Sequence, residues 1–105
     1  AKKQDWGPLL GQYFQKRQAL TAVIIFMDIR HPLKESDWDM IQLCRDFNVP
    51  FIPVLTKSDK LSNNKIVTTI KNVKTKIHEV DALAISSLNG TGFDKFSAEI
   101  LKFIP

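Results

Sequence analysis

The sequence holds one cysteine, Cys44, so no intrachain disulfide can form. A single free thiol suits a reducing compartment, and its place in an apolar helical pattern predicts a buried side chain rather than a reactive one. No apolar run approaches the ~20 residues that span a bilayer. Nothing behind the opening Ala-Lys-Lys-Gln-Asp looks like the hydrophobic region of a signal peptide. No membrane association and a cytoplasmic location are therefore expected. There is no internal repeat and no low-complexity stretch. A strong excess of charge is also missing. Fifteen Lys and Arg against 11 Asp and Glu leave a net +4, which permits an RNA partner without requiring one.

What is present suffices for one small globular unit, with 44% hydrophobic residues in 105. Asp5 is a cap for a helix running to about Leu20, with Trp6, Leu9, Leu10, Tyr13 and Phe14 at helical spacing and Pro8 in the first turn. Ala22-Val23-Ile24-Ile25-Phe26-Met27, ending at Asp28, is a continuous apolar run and predicts a strand covered on both faces. His31-Pro32 breaks it. Ser36-x-x-Asp39 has the form of a capping box for a second helix, with Trp38, Ile41, Cys44 and Phe47 on one face. Phe51 to Leu55 is a second strand, weakened by Pro53. Ser62 caps a third helix with Ile66, Val67, Ile70, Val73 and Ile77 in its stripe. Lys65, Lys71, Lys74 and Lys76 lie largely off that stripe, as on a solvated face. Ala82 to Ile85 is a third strand, Asn89-Gly90-Thr91-Gly92 a turn, and Phe93, Phe96, Ile100 and Phe103 the stripe of a last helix. The alternation implies an α/β fold, a parallel three-stranded sheet flanked by helices.

In open α/β sheets, ligands sit beyond the carboxyl ends of the strands. The polar clusters there are Asp28-Ile29-Arg30-His31, Thr56-Lys57-Ser58-Asp59 and Ser86-Ser87-Leu88. The second matches the Asn/Thr-Lys-x-Asp form that reads guanine in GTPases. Guanine presents two adjacent donors, N1–H and the exocyclic amine. One carboxylate, Asp59, accepts both, whereas adenine presents a different edge. Lys57 can lay its methylene stem across the base with its ammonium in water. Thr56 would tie this loop to a phosphate loop, Ser86 and Ser87 close the third strand, and a backbone N–H near Ser87 and Leu88 would donate to guanine O6. The competing reading makes Thr56 to Asp59 a polar turn, with Asp59 capping the next helix. His31 beside Pro32 reads as a structural hydrogen-bonder, and Arg30 as either a partner for a carboxylate or a contact residue.

Trp6, Tyr13 and Arg17, then Val-Ile-Ile-Phe-Met-Asp28-Ile29-Arg30-His31-Pro32, resemble the EngB family (YihA, YsxC) of bacterial ribosome-assembly GTPases. So do Pro53 to Leu61 and Ser86-Ser87-Leu88-Asn89-Gly90-Thr91-Gly92. The resemblance runs over essentially all 105 residues, and Asp-Ile-Arg-His-Pro is its most specific string. It implies GTP and Mg²⁺ binding, slow GTP hydrolysis, and a role in large ribosomal subunit assembly, also described as cell division or septation. It also implies that the strand Val23–Asp28 lies beside the strand that feeds the phosphate loop, so that this edge would be open to self-association without it.

The family's Gly-x-x-x-x-Gly-Lys-[Ser/Thr] and Asp-x-Pro-Gly motifs do not occur. Without them there is no nest of N–H groups for phosphates and no hydroxyl for Mg²⁺. Residues 1–105 are therefore expected to be the carboxyl-terminal part of a P-loop GTPase domain, beginning where the second switch would end. No catalytic residue carries over, no metal ligand is assigned, and no hydrolysis is expected from the segment alone. Two other classes stay open: a non-catalytic RNA- or protein-interaction module, and an unrelated flavodoxin-like domain.

Overall fold

The computed structural model describes residues 22–103; the helix expected from Asp5 to Leu20 lies outside them. The elements are β1 (Val23–Asp28), α1 (Glu35–Asp46), β2 (Phe51–Thr56), a 3₁₀ turn (Ser58–Lys60), α2 (Asn63–Lys76), β3 (Leu83–Ala84) and α3 (Phe93–Leu101). The strands form one parallel sheet in the order β1-β2-β3. This is the α/β architecture expected from the alternating pattern.

Strand periodicity divides the core. Ile25, Met27 and Leu55 face one side of the sheet and pack with Ile41 and Cys44 of α1 and with Val73 of α2. Ile52, Val54 and Ile85 face the other side, with Phe96 of α3 against them. The central strand β2 is buried on both faces from Phe51 to Leu55. The expectation of two covered faces, made for β1, fails there, where Phe26 stays 57% exposed. Phe96 meets it in an inclined, edge-to-face arrangement, at 6.1 Å between centroids.

Pro53 sits at the centre of the sheet, fully buried. Residues of β2 address their two neighbours alternately. The carbonyls of Pro50 and Thr56 accept from Val23 and Ile29 on the β1 side, and that of Leu55 accepts from Ile85 on the β3 side. Pro53 belongs to the set turned toward β3, and pairing with β3 begins only at Val54. Its missing N–H therefore removes no ladder bond.

Two local expectations need correction. The α1 box is not built on Ser36 and Asp39. The helix begins earlier, after Leu33 turns the chain with φ 59°. Asp37 Oδ2 then accepts from the Lys34 N–H at 2.9 Å. In α2, Val67 is half exposed, so the buried stripe is narrower than the apolar pattern. Cys44 is fully buried, and desolvation pushes its thiol up to about 11, which makes it a packing residue and not a nucleophile.

Among the described residues β1 has one neighbour, β2, and none of them pairs with the backbone groups on its other side. An open apolar edge invites pairing with another chain. We expect the 105-residue chain to self-associate through Val23–Asp28. Sedimentation at rising concentration together with hydrogen exchange checks this. A monomer whose Val23–Met27 amides are as protected as those of Val54 and Leu55 would contradict it.

Candidate functional site

The carboxyl ends of all three strands meet on one rim. β1 delivers Asp28, which pairs in register with Thr56 at the end of β2. The Thr56 hydroxyl donates to the Met27 carbonyl at 3.2 Å, and the Ile29 N–H donates to the Thr56 carbonyl at 3.0 Å. The loops that leave β1 and β2 are thus stitched together. The expectation that Thr56 reaches a phosphate loop concerns residues this chain does not contain; here its hydroxyl is spent on β1.

Lys57 follows in the left-handed region, with φ 60° and ψ 39°. A side chain there carries a backbone cost of about 1–3 kcal/mol, tolerated where the surroundings enforce it. Two bonds do so: the Ser58 N–H donates to the Ile85 carbonyl, and the Lys60 N–H to the Lys57 carbonyl, each at 3.0 Å. The first also ties this loop to the end of β3. Ser58 is buried beneath the turn, while Lys57 is exposed.

Asp59 does not cap the next helix. Ser62 does so, its Oγ accepting from the Lys65 N–H. Asp59 instead meets Ser86, whose Oγ donates to Asp59 Oδ1 at 2.7 Å. Ser86 is itself fully buried, and its N–H donates to the Thr91 carbonyl at 3.0 Å. One carboxylate oxygen is thereby fixed, while Oδ2 has no partner among the described residues. Ser87 and Leu88 are exposed in the adjoining turn, Leu88 at 78%, and their N–H groups have no acceptor among the described residues. The structure thus brings Thr56, Lys57, Asp59, Ser86, Ser87 and Leu88 to one rim. There a carboxylate oxygen, a lysine stem and free backbone donors are all available. That set can bind a flat heterocycle presenting donors on one edge and a carbonyl beside them.

The sequence left Arg30 with two readings, and the structure selects one. Its backbone N–H and Nε–H donate to Asp28 Oδ1 at 2.9 and 3.1 Å, and Nη2–H to Oδ2 at 2.8 Å. These bonds hold the Asp28 carboxyl well below the usual carboxylate range. The His31 ring is exposed and makes no hydrogen bond among the described residues; only its backbone N–H does, to the Asp28 carbonyl. Missed in the sequence was the approach of Lys57 Nζ to Asp28 Oδ2, 3.7 Å. The usable signal was an acidic residue closing the strand next to the Thr-Lys-x-Asp strand.

A concavity of about 420 Å³ lies elsewhere, at the amino-terminal end of β2, lined in part by Cys44, Val49, Phe51 and Phe103. Its charged lining residues, Arg45 and Glu79, neutralise each other through a two-fold hydrogen-bonded pair at 2.8 and 2.9 Å. No group of three or more potential metal-ligating side chains exists among the described residues, and no helix there is long and apolar enough to cross a membrane.

No protein-family model matches the chain. Curated proteins do. "Probable GTP-binding protein EngB" of Colwellia psychrerythraea is 40% identical over 108 residues, covering 99% of this chain and 48% of that protein. The protein of the same name in Pasteurella multocida is 42% identical over 102 residues, covering 93% of this chain and 50% of its own length. The chain spans about half the length of the curated relatives it matches. Among solved structures, elongation factor SelB of Methanococcus maripaludis superposes with a TM-score of 0.79 at 20% identity, over 97% of this chain and 24% of that one. Aquifex aeolicus Era bound to GDP and AlF4⁻ gives 0.76 at 21% identity, over 100% of this chain and 37% of that one. At such identities the structural likeness establishes the fold, that of GTPase domains.

Proposed function

We propose that this chain, whose sequence matches the carboxyl-terminal half of the EngB GTP-binding proteins, supplies guanine recognition to a GTP-binding domain. Asp59 accepts from guanine N1–H and the exocyclic amine. Lys57 lays its stem on the base. The backbone N–H groups of Ser87 and Leu88 donate to O6. Ser86 acts beneath them, fixing the carboxylate so that it need not be ordered when the base arrives. Thr56 holds the loop to β1. The observation that carries this reading is the 2.7 Å bond from Ser86 to Asp59 beside the N–H groups of the adjoining turn, which have no acceptor among the described residues.

In this reading residues 1–105 are one part of a longer cytoplasmic protein that hydrolyses GTP in assembly of the large ribosomal subunit, with consequences for cell division. rRNA or the large subunit is its partner. The EngB resemblance supports that role. The phosphates would be held by the other half. Mg²⁺, which accompanies GTP in such proteins, finds no cluster of fitting donors among the described residues. Both Asp28 oxygens are taken by Arg30, and the free oxygen of Asp59 stands alone. No step is therefore routed through a metal on these residues.

The test is a titration of the chain with GDP and, separately, ADP, followed by amide NMR shifts. GDP is expected to move Lys57, Asp59, Ser87 and Leu88 with a Kd of roughly a millimolar, about −4 kcal/mol. Shifts of equal size with ADP, or shifts clustered away from these residues, would end the guanine reading.

A further inference from the structure

Asp28 and Arg30 stand on the rim without a part in reading the base. Their pairing is unusually complete for a surface pair. Arg30 gives its backbone N–H and Nε–H to Oδ1 and its Nη2–H to Oδ2, so the carboxylate plane is fixed in the fork of the guanidinium. Across the sheet Asp28 pairs in register with Thr56, and the next residue is Lys57, in its left-handed conformation. The Lys57 ammonium lies 3.7 Å from Asp28 Oδ2, although its side chain is 58% exposed. Lys60, three residues on and also exposed, makes no ion pair among the described residues.

We propose that the Asp28–Arg30 pair is a positioning device for Lys57, directing its stem across the place of the base before any nucleotide binds. The inference rests on the guanine reading of this same rim. Its logic is entropic. A free lysine samples many rotamers, and stacking its stem on a base means giving them up. A carboxylate at the far end of the stem selects the rotamers that run along the rim. Because Arg30 already neutralises Asp28, the attraction is mild and the ammonium keeps its water. Lys57 is thus oriented without being locked. Asp28 and Arg30 touch no nucleotide in this arrangement and act through Lys57.

The experiment uses the 105-residue chain and GDP as probe, with ADP as comparator, in the wild type, Asp28→Asn, Lys57→Met, the double variant and Asp59→Asn. An exposed pair of this kind changes affinity by about two- to fivefold. Asp28→Asn is expected to weaken GDP by that factor and leave ADP unchanged. In the Lys57→Met background it should produce no further loss, because the residue it acts through is gone. Equal losses in both backgrounds, or full GDP affinity in Asp28→Asn while Asp59→Asn loses it, would overturn the proposal. Unchanged GDP affinity in Asp59→Asn would instead sink the guanine reading. The ligand-free chain supplies an independent readout. Carbon relaxation at the Lys57 side chain should report more order than at Lys60, and Asp28→Asn should erase the difference. Equal mobility of the two lysines in the wild type would overturn the positioning role whatever the nucleotide does.

Discussion

Asp59→Asn is expected to lower the affinity of the intact GTP-binding protein for GTP by about ten- to a hundredfold and raise its affinity for xanthosine triphosphate. The carboxylate offers acceptors to both guanine donors, and losing a charge-assisted contact costs on the order of 1.5–3 kcal/mol. Xanthine replaces the exocyclic amine with a carbonyl, which an amide N–H satisfies. The structure sharpens the argument. Ser86 Oγ donates to one oxygen of residue 59, so in the asparagine variant the amide oxygen is drawn to that position and the amide nitrogen faces the site. The same oxygen keeps a second lone pair for N1–H. Competition binding between the two nucleotides checks it. An unchanged preference for GTP would show that Asp59 is not the base reader.

Gly92→Ala is expected to be the most damaging single-methyl change in the fold, costing about 2–4 kcal/mol, the sum of a left-handed backbone penalty and an overpacking term. Gly92 is the N-cap of α3 with φ 84°. A Cβ there would press into the carbonyl oxygen of Ala84, and behind it lies the Ile85 Cα at 3.2 Å. Both are backbone of β3 and its end, so nothing flexible can yield. Domains of this size have total stabilities of about 5–15 kcal/mol, so the loss is a large share. Gly90 makes the natural control. It too has positive φ, at 76°, but a Cβ there meets nothing within 4 Å. Gly90→Ala should therefore lose only the backbone part, about 1 kcal/mol. Thermal or denaturant unfolding of the two variants separates the terms. Equal losses would mean that α3 does not sit tightly on the end of β3, and with it the turn that presents Ser87 and Leu88.

The element order and the α/β class could be read from the sequence because they depend on local pattern: continuous apolar runs ending in polar turns, and helical stripes behind Ser62 and at Trp38 to Phe47. The candidate guanine-reading motif stood out in the sequence for a related reason. Thr56-Lys57-Ser58-Asp59 combines chemistry and position, since a strand that stops at Thr56 must place its next residues at the carboxyl edge of a parallel sheet. The competing caps were less legible. Lys34 and Asp37 displaced the predicted Ser36 and Asp39 because a left-handed turn at Leu33, set by the chain's path off β1, lets the helix start earlier.

By itself, then, the sequence determined which residues carry the donor and acceptor chemistry that the proposed reading of guanine needs, because that chemistry belongs to side chains and is the same wherever they stand. It also determined that they would collect at one end of a parallel sheet. Only the tertiary structure decided how they work together. Strand register set Asp28 beside Lys57, the close approach of two loops let buried Ser86 fix Asp59, and the late start of β3 left room for Pro53 in a central strand. Each joins residues from separate elements, at separations of about 30 along the chain, where no local periodicity carries information and only packing in three dimensions brings the groups within bonding distance.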